Sequence, residues 1–557
     1  MSVDRSGFYV WEEDLIYDGI RQDASESIRR YRRLENMHWG IRGALTKDKG
    51  TKLLTTTAIN SGSYPTAIGF DAHFSNGTQY LVVVNGTSTP DQKPYIYNTS
   101  TNVFDEQAQG LHATNRPCLF MFANKLMFFD GTEVKAMAHD KSFTTPGDSL
   151  ADACRFGGVY ANRAVVAGSA TYPHTFFPSG VMDETSWGAA NSVDVTGTFG
   201  QEITAMGNCG RFWIVTTRSL TRAYYLGTAG PKDWDFDDVS NLSGAIGWES
   251  FVQPSGIKGV NTNAFAFFWG DDGPMMVVDT GSGVPRLIPL WNPIQSAVRG
   301  QAWQDVIALD PTGYDSVVGE FVPQAREIRF SCRETNETKN NVLWCLDYDS
   351  AVRYAMSGEN DEFYPFWRIR KNEERGWLPC HHIFLARLGS GGEPASNGQM
   401  RMMGCRDGYV YEYDAPDIFT DADPSGNDVS FSWKIRKDGY DGVEDGSRVY
   451  TKSNRHIQVR STSVSGIIYA TLYTDGGALS STTEIDPSTY LSYWGTDSVT
   501  GSWGDGGVWN AGEFVPIRGE VVGKGKKFDL ELTDNGSIEE EFSINSFSLM
   551  GYVEDEI

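Results

Sequence analysis

Four groups of residues have the types and spacing for chemistry. Arg29, Arg30, Arg32 and Arg33, in "IRRYRRLENMHWGIRGALTKDKGTKLL" (28–54), make a dense cationic run suited to phosphate oxygens or to carboxylates. Cys380-His381-His382 sets a thiol beside two imidazoles, half of a transition-metal ligand set. "DADPSGND" (421–428) begins like a calcium loop, with Asp421, Asp423 and Ser425 at alternate positions and Gly426 behind them. "SWGDGGVW" (502–509) approaches the Asp-box pattern S/T-x-D-x-G-x-x-W, which sialidases place at the turns of propeller blades.

Each group also has a plainer reading. The twelfth position of a calcium loop starting at Asp421 is Ser432 rather than Glu, so 421–428 reads better as a solvated linker. The Asp-box spacing is wrong and occurs once, which favours a loop. No second half of a metal site stands near Cys380-His381-His382, so a buried thiol beside two polar histidines is expected. No HExxH, GxSxG or P-loop sequence occurs. The expectation is a protein without catalytic activity, cofactor or metal. The arginine run can meet nucleic acid phosphates, or acidic surface on the same subunit or a neighbour. The second is favoured, because the chain carries a formal charge of −25. Arg29, Arg30, Arg32 and Arg33 are therefore the candidate assembly interface. Residues 21–52 hold nine Lys and Arg against four Asp and Glu, a local excess of positive charge in an acidic protein.

The elements that position these groups read as strands. The 557 residues exceed one hydrophobic core, and 60 glycines against 22 prolines, with 13% aromatics, suit strands joined by tight turns. "ITAMGNCGRFWIVTTRSLTRAYYLG" (203–227) reads as strands at 203–206, 211–217 and 220–226. The plan returns in 116–137, with turns at Asn124-Lys125 and Asp130-Gly131, and in 156–179, with a turn at Asn162. Hairpins are expected at Asp271-Asp272-Gly273 and Asp407-Gly408, and similar clusters at 67–97 and 327–369. About seven strand clusters, with no helices between them, predict an all-β protein built on a β-propeller of six or seven blades. Linked β-sandwiches are the rival architecture.

The divisions expected are 1–58, an N-terminal arm with a short helix and the basic segment; 59–415, the propeller; 416–428, a linker; and 429–557, a C-terminal β-sandwich. The helix rests on Ile28, Tyr31, Leu34 and Met37, three apart, with Asp23 and Glu26 as a capping pair. Seven scattered cysteines, never CxxC, suit reduced buried thiols. The start MSVDRSGFYVWEED lacks the pattern of a secretory signal, and apolar clusters such as 264–269 are too short to span a bilayer. A soluble protein made in a cytosol, with no stable membrane insertion, is the expectation.

"ENMHWGIRGALTKDKGTKLL" resembles an N-terminal segment of the tail hub or nozzle proteins of short-tailed phages. The match lies at Asn36, Gly43, Ala44, Leu45, Lys47, Gly50 and Thr51, and Lys49 stands where proline is usual. "GVYANRAVVAGSATYPHTFFPSG" and 201–227 are similar to successive blades of those proteins, and "FDLELTDNGSIEEEFSINSFSLMGY" to their ending. The resemblance implies a structural virion protein on a β-propeller. It implies a homo-oligomer, a hexamer, below an adaptor protein and among tail fibre or needle proteins. The ring would form the lower DNA-ejection channel, with genomic DNA passing through without tight binding. A receptor-binding or glycan-degrading propeller is the alternative.

Overall fold

The computed structural model describes most of the chain; the longest stretches outside the described residues are 15–30, 441–450 and 488–514, with shorter ones including 4–7, 40–43, 63–65, 87–91, 227–233, 256–261, 302–306, 359–364, 390–393 and 555–557. Between residues 66 and 413 the strands group into consecutive antiparallel sheets. The first sheet runs Thr66–His73, Gln79–Gly86, Gln92–Asn98, Val103–Glu106. The second (118–144), third (156–194) and fourth (205–240) repeat that four-stranded order, and the fifth (265–289) has three strands. The sixth begins Val318–Val322, Glu327–Cys332, Val342–Asp347, Trp367–Arg370. The seventh begins His382–Leu388, Gln399–Arg406, Tyr409–Tyr413.

Why these strands read as continuous apolar runs follows from where their faces point. In "QYLVVVNG", Val82 and Val84 pack with Leu119 and Phe128 of the second sheet, while Leu81 and Val83 pack with Phe384 and Met403 of the seventh. Alternate side chains thus serve two different cores, and both must be apolar. Further cores join the second to fourth sheets, the fourth to the fifth, the fifth to the sixth and the sixth to the seventh. The sheets therefore close into a ring, the arrangement of a β-propeller. Trp248 touches three of these cores, which places it at the centre.

The turns explain the sequence signals. Ala123 and Asn124 (φ 47° and 61°), Ala161 and Asn162 (48° and 58°), and Asp407 and Gly408 (51° and 80°) are pairs in the left-handed region that two-residue hairpins require. In the fourth sheet the strands are Ala205–Cys209, Phe212–Thr216 and Thr221–Leu226, and a fourth, Trp234–Ser240, lies outside the expected unit.

Three expectations are corrected. The N-terminal segment is not a helical arm: Tyr31–Glu35 and Met37–Trp39 are strands, and residues 24–30 lie outside the described residues. Tyr31–Glu35 sits between Trp367–Arg370 of the sixth sheet and Lys434–Tyr440. Leu34 and Met37 are both buried, three apart, because Asn36 between them is left-handed (φ 54°) and breaks the strand alternation. The spacing mimicked a helix. Second, 416–428 is not a free linker, since Asp421–Ala422 and Asp428–Val429 form a hairpin on the seventh sheet, beside Thr51–Leu53. Third, short helices do stand between sheets, at Ser149–Asp152 and Gln295–Val298, and a longer one lies between two strands of the sixth. Tyr348–Met356 is started by Asp347, whose carboxylate accepts from the Ser350 amide at 2.6 Å, and it buries Tyr348, Ala351, Tyr354 and Ala355.

Beyond Lys434–Tyr440 the sixth sheet continues through Phe528–Thr533, Ile468–Thr474 and Ala478–Ile485. A separate sheet runs Ser2–Val3, Phe8–Asp14, Ser543–Glu554, Thr451–Ser461, Val515–Gly525, with Leu45–Lys47 joined to Ser543–Glu554. Both share one core, in which Ile457, Val459, Phe547 and Leu549 meet Ala470, Leu472, Leu530 and Leu532.

Candidate functional site

Described residues between Asn36 and Thr51 contact the sixth sheet, the hairpin on the seventh sheet and the outer sheets. Asn36, 1% exposed, donates from its amide to the carbonyls of Lys371 and Ser432 at 2.6 Å each and accepts from the Lys371 amide at 2.9 Å. Asparagine suits this position because it tolerates the left-handed conformation and carries both a donor and an acceptor. Lys47 and Asp534 are fully buried with Nζ and Oδ2 3.2 Å apart, and Lys47 also donates to the Ile538 carbonyl and lies over the Phe431 ring. Burial pulls the Lys47 amine below its ordinary value, against the opposing pull of Asp534. Gly50 admits no side chain, since a Cβ there would stand 1.7 Å from the Thr420 carbonyl oxygen. The Thr51 amide donates to Asp421 Oδ1 at 3.0 Å, so the aspartate that resembled a calcium ligand is spent on the backbone.

Beneath this segment lies a buried charge network. Arg368 donates to Asp48 at 2.5 Å and pairs twice with Glu327, Nε to Oε1 at 2.5 Å and Nη2 to Oε2 at 2.8 Å. Arg329 joins Glu327 (2.9 Å) to Asp414 (2.7 Å), and Arg370 also reaches Asp414 (2.6 Å) and donates to the Lys49 carbonyl. Burial opposes every one of these charges, and the neighbours outweigh it. The Arg368 guanidinium, with His38 donating at 2.9 Å, holds Asp48 well below the usual carboxylate range, and Arg329 and Arg370 hold Asp414 at about 2. The carboxylates in turn raise Arg329, Arg368 and Arg370 above their ordinary values. Arginine suits such a site, because its fork pairs two carboxylates at once.

Of the four arginines expected at an assembly interface, Arg33 is corrected. Its guanidinium is buried within the chain, donating to Glu35 Oε2 (Nε, 2.7 Å) and to Glu373, so it is not available to a neighbouring subunit. Arg29 and Arg30 lie outside the described residues, as does the side chain of Arg32. The network residues Asp48, Glu327, Arg329, Arg368, Arg370 and Asp414 went unread in the sequence. One signal was present: "EIRF" and "WRIR" place charges at alternate positions of otherwise apolar strands, and Cys345 stands opposite both Arg329 and Arg368, aligning them on one face.

A second polar cluster lies at the ring's centre. Arg116 donates to Glu249 Oε2 at 2.8 Å and to His381 Nε2 at 2.8 Å. Burial raises the Glu249 carboxyl, with Arg116 pulling the other way. Burial, then Arg116, lowers His381 to about 3 and takes His382 well below its ordinary value. Burial thus disfavours the charged form of both imidazoles, His381 is held by Arg116, and Cys380 is buried. Among the described residues, no three His, Cys, Asp or Glu side chains are placed to hold a metal ion, and no helix is long and apolar enough to cross a membrane. All seven cysteines are free and buried. "SWGDGGVW" lies outside the described residues.

No protein-family model matches the chain, and no curated protein matches it in sequence. Among solved structures it is similar to Sqt1 of Saccharomyces cerevisiae (10% identity, 62% of this chain and 84% of that one, TM-score 0.37). It is also similar to the RRP9 WD40 repeats (7%, 66% and 99%, TM-score 0.38) and to the N-terminal domain of Nup159 (8%, 72% and 98%, TM-score 0.36). Likeness at this level carries no argument about function, and the fold described above rests on the strand pairings and shared cores.

Proposed function

We propose that this chain is a structural subunit of the tail hub or nozzle of a short-tailed phage. In this reading the ring is a propeller of seven blades and the outer sheets form a C-terminal β-sandwich. Six copies surround the path of the genomic DNA, below an adaptor protein and among fibre or needle proteins, and the subunit has no catalytic role.

The observation that carries the reading is the use made of the resembling residues. Asn36, Ala44, Leu45, Lys47, Gly50 and Thr51 are all buried or closely packed at the joint between the ring and the outer sheets. A motif spent on joining rigid parts suits a load-transmitting subunit better than an enzyme or a lectin. Two features agree with it. The charged clusters described above are consumed by internal ion pairs, and the −25 charge disfavours tight binding to a polyanion. Arg29, Arg30 and Arg32 remain the assembly contact in this proposal, and Arg33 does not.

Negative-stain electron microscopy of the purified chain tests it. Closed sixfold rings with an axial opening are expected. Trimers or monomers, or turnover of capsule or lipopolysaccharide abolished by one carboxylate substitution in the ring mouth, would refute it.

A further inference from the structure

Among the first five sheets, one outer edge differs from the rest. The outermost strands Val103–Glu106, Phe143–Thr144, Val193–Asp194 and Arg286–Pro289 have two to four residues, whereas Trp234–Ser240 has seven. In the sixth and seventh sheets the corresponding edges are covered, by Tyr31–Glu35 and Thr51–Leu53. A long uncovered edge presents a row of backbone donors and acceptors, which proteins keep short or guard with charge. Here the guard is anionic. Asp235 and Asp237 stand on one face of the strand, opposite Tyr225 and Ala223, and Phe236 and Asp238 on the other. Asp238 is paired with Arg222 at 2.6 Å, and that guanidinium also lies over Phe236; Asp235 and Asp237 have no ion-pair partner among the described residues. The acidic pair on the first sheet's outer strand is instead used within that sheet, Glu106 by Lys93 and Asp105 by Asn98 at 2.8 Å. Phe236 is 41% exposed, and Leu242, two residues beyond the strand, is 87% exposed.

We propose that the edge strand Trp234–Ser240 is the acidic surface on which the basic segment 28–32 of a second copy docks. Arg29, Arg30 and Arg32 bring three positive charges, and no acidic residue stands between Glu26 and Glu35. A guanidinium both pairs with carboxylates and stacks on aromatic rings, and this edge offers Asp235, Asp237 and the exposed part of Phe236. The segment does not meet this edge in its own chain. Arg29 lies two residues from Tyr31, so its backbone stays within about 7 Å of a strand held in the sixth sheet. The fourth sheet stands two places away round the ring, about 20 Å at the usual sheet spacing, a difference that an arginine side chain does not bridge. The contact therefore joins two different surfaces of neighbouring copies, the heterologous arrangement that generates a closed ring. Two chains of formal charge −25 repel each other at long range, and a cationic segment meeting an anionic edge gives their encounter its orientation. The inference rests on the reading of the chain as a ring-forming subunit and names the neighbour's half of the contact.

Charge exchange in the full chain tests it, read by native mass at near-neutral pH with circular dichroism as the check on folding. Asp235→Lys with Asp237→Lys should raise the concentration needed for ring formation about tenfold or more. Arg29→Glu, Arg30→Glu and Arg32→Glu together should do the same. All five substitutions in one chain should restore association towards the wild-type level, because the opposed charges are exchanged and not removed. Rings that form unaltered in the Asp235/Asp237 variant, or no recovery in the combined variant, would overturn this contact and leave the ring reading standing. A wild-type chain that forms no ring would overturn both. Should a variant fail to fold, hydrogen exchange of the 234–240 amides in the wild type decides. Protection in the ring that is lost on dilution to single subunits is expected, and equal exchange in both states would overturn the proposal.

Discussion

Replacing Asp48 by Ala removes the carboxylate through which the N-terminal segment grips the ring. The Asp48 side chain is 2% exposed; its Oδ2 accepts from Arg368 at 2.5 Å and its Oδ1 from His38 at 2.9 Å. Breaking a buried ion pair by deleting one partner costs about 3–5 kcal/mol. Here Arg368 keeps its two contacts to Glu327, so the loss should fall at or below the lower end of that range, about 2–3 kcal/mol. A chain of this size need not unfold in two states, so a local readout is preferable. The amides of Lys47 and Gly50 donate to the carbonyls of Phe542 and Ile418 across the joint, and their hydrogen exchange reports its opening. A loss of about 2–3 kcal/mol corresponds to exchange roughly 30- to 150-fold faster. Amides of the first sheet, such as Val83 paired with Tyr95, should not change. Because Asp48 is held far below the ordinary range, its contribution is fully present above the unfolded aspartate pKa of about 3.9 and is lost only as pH falls below it. The variant's effect should therefore be equal at neutral and mildly acidic pH. Less than tenfold acceleration, or equal acceleration in the first sheet, would refute this account of the joint.

Other consequences are equally direct. Gly50→Ala should destabilise the joint by at least about 3 kcal/mol, because the new methyl meets a backbone carbonyl that cannot turn aside; a thermal midpoint unchanged from wild type would contradict this. Arg33→Ser should lower the stability of the isolated subunit by about 3–5 kcal/mol, since it strands Glu35 in the interior. Arg29→Ser, Arg30→Ser and Arg32→Ser together should weaken ring assembly and leave the subunit folded, which sedimentation and circular dichroism would separate. Burial raises Glu320 to about 7, against hydrogen bonds from the Phe321 and Leu385 amides. Its folded pKa lies above the unfolded value, so its contribution is complete below about pH 4.5 and fades as pH rises through about 7. Glu320→Gln should flatten the stability profile across that window, and an unaltered profile would count against it.

How much of this was legible in the sequence varied with what each signal depended on. The hairpins were, because Asn124, Asn162 and Asp407-Gly408 are local and of types that the left-handed backbone favours, although the first turn is Ala123-Asn124, one residue before the expected pair Asn124-Lys125. Trp234–Ser240 was not, because an outermost strand with Asp235, Asp237 and Asp238 has no second apolar face to reveal it. The weaving of Tyr31–Glu35 between strands more than 300 residues away leaves no local trace, and the left-handed Asn36 gave it a helix-like spacing. The central cluster shows the same limit. His381 and His382 were visible as a pair, but Arg116 and Glu249 reach them only through ring closure. The buried network had one readable sign, charges alternating with apolar residues in "EIRF" and "WRIR", which is also the ordinary pattern of a half-exposed strand.

The measurement that bears most directly on the central claim is the native mass of the purified full chain at near-neutral pH and moderate salt. The account predicts a single dominant species of six copies, each of 61.7 kDa, that dissociates to folded subunits when Arg29, Arg30 and Arg32 are replaced. A wild-type chain that remains a monomer at every concentration tested would contradict it.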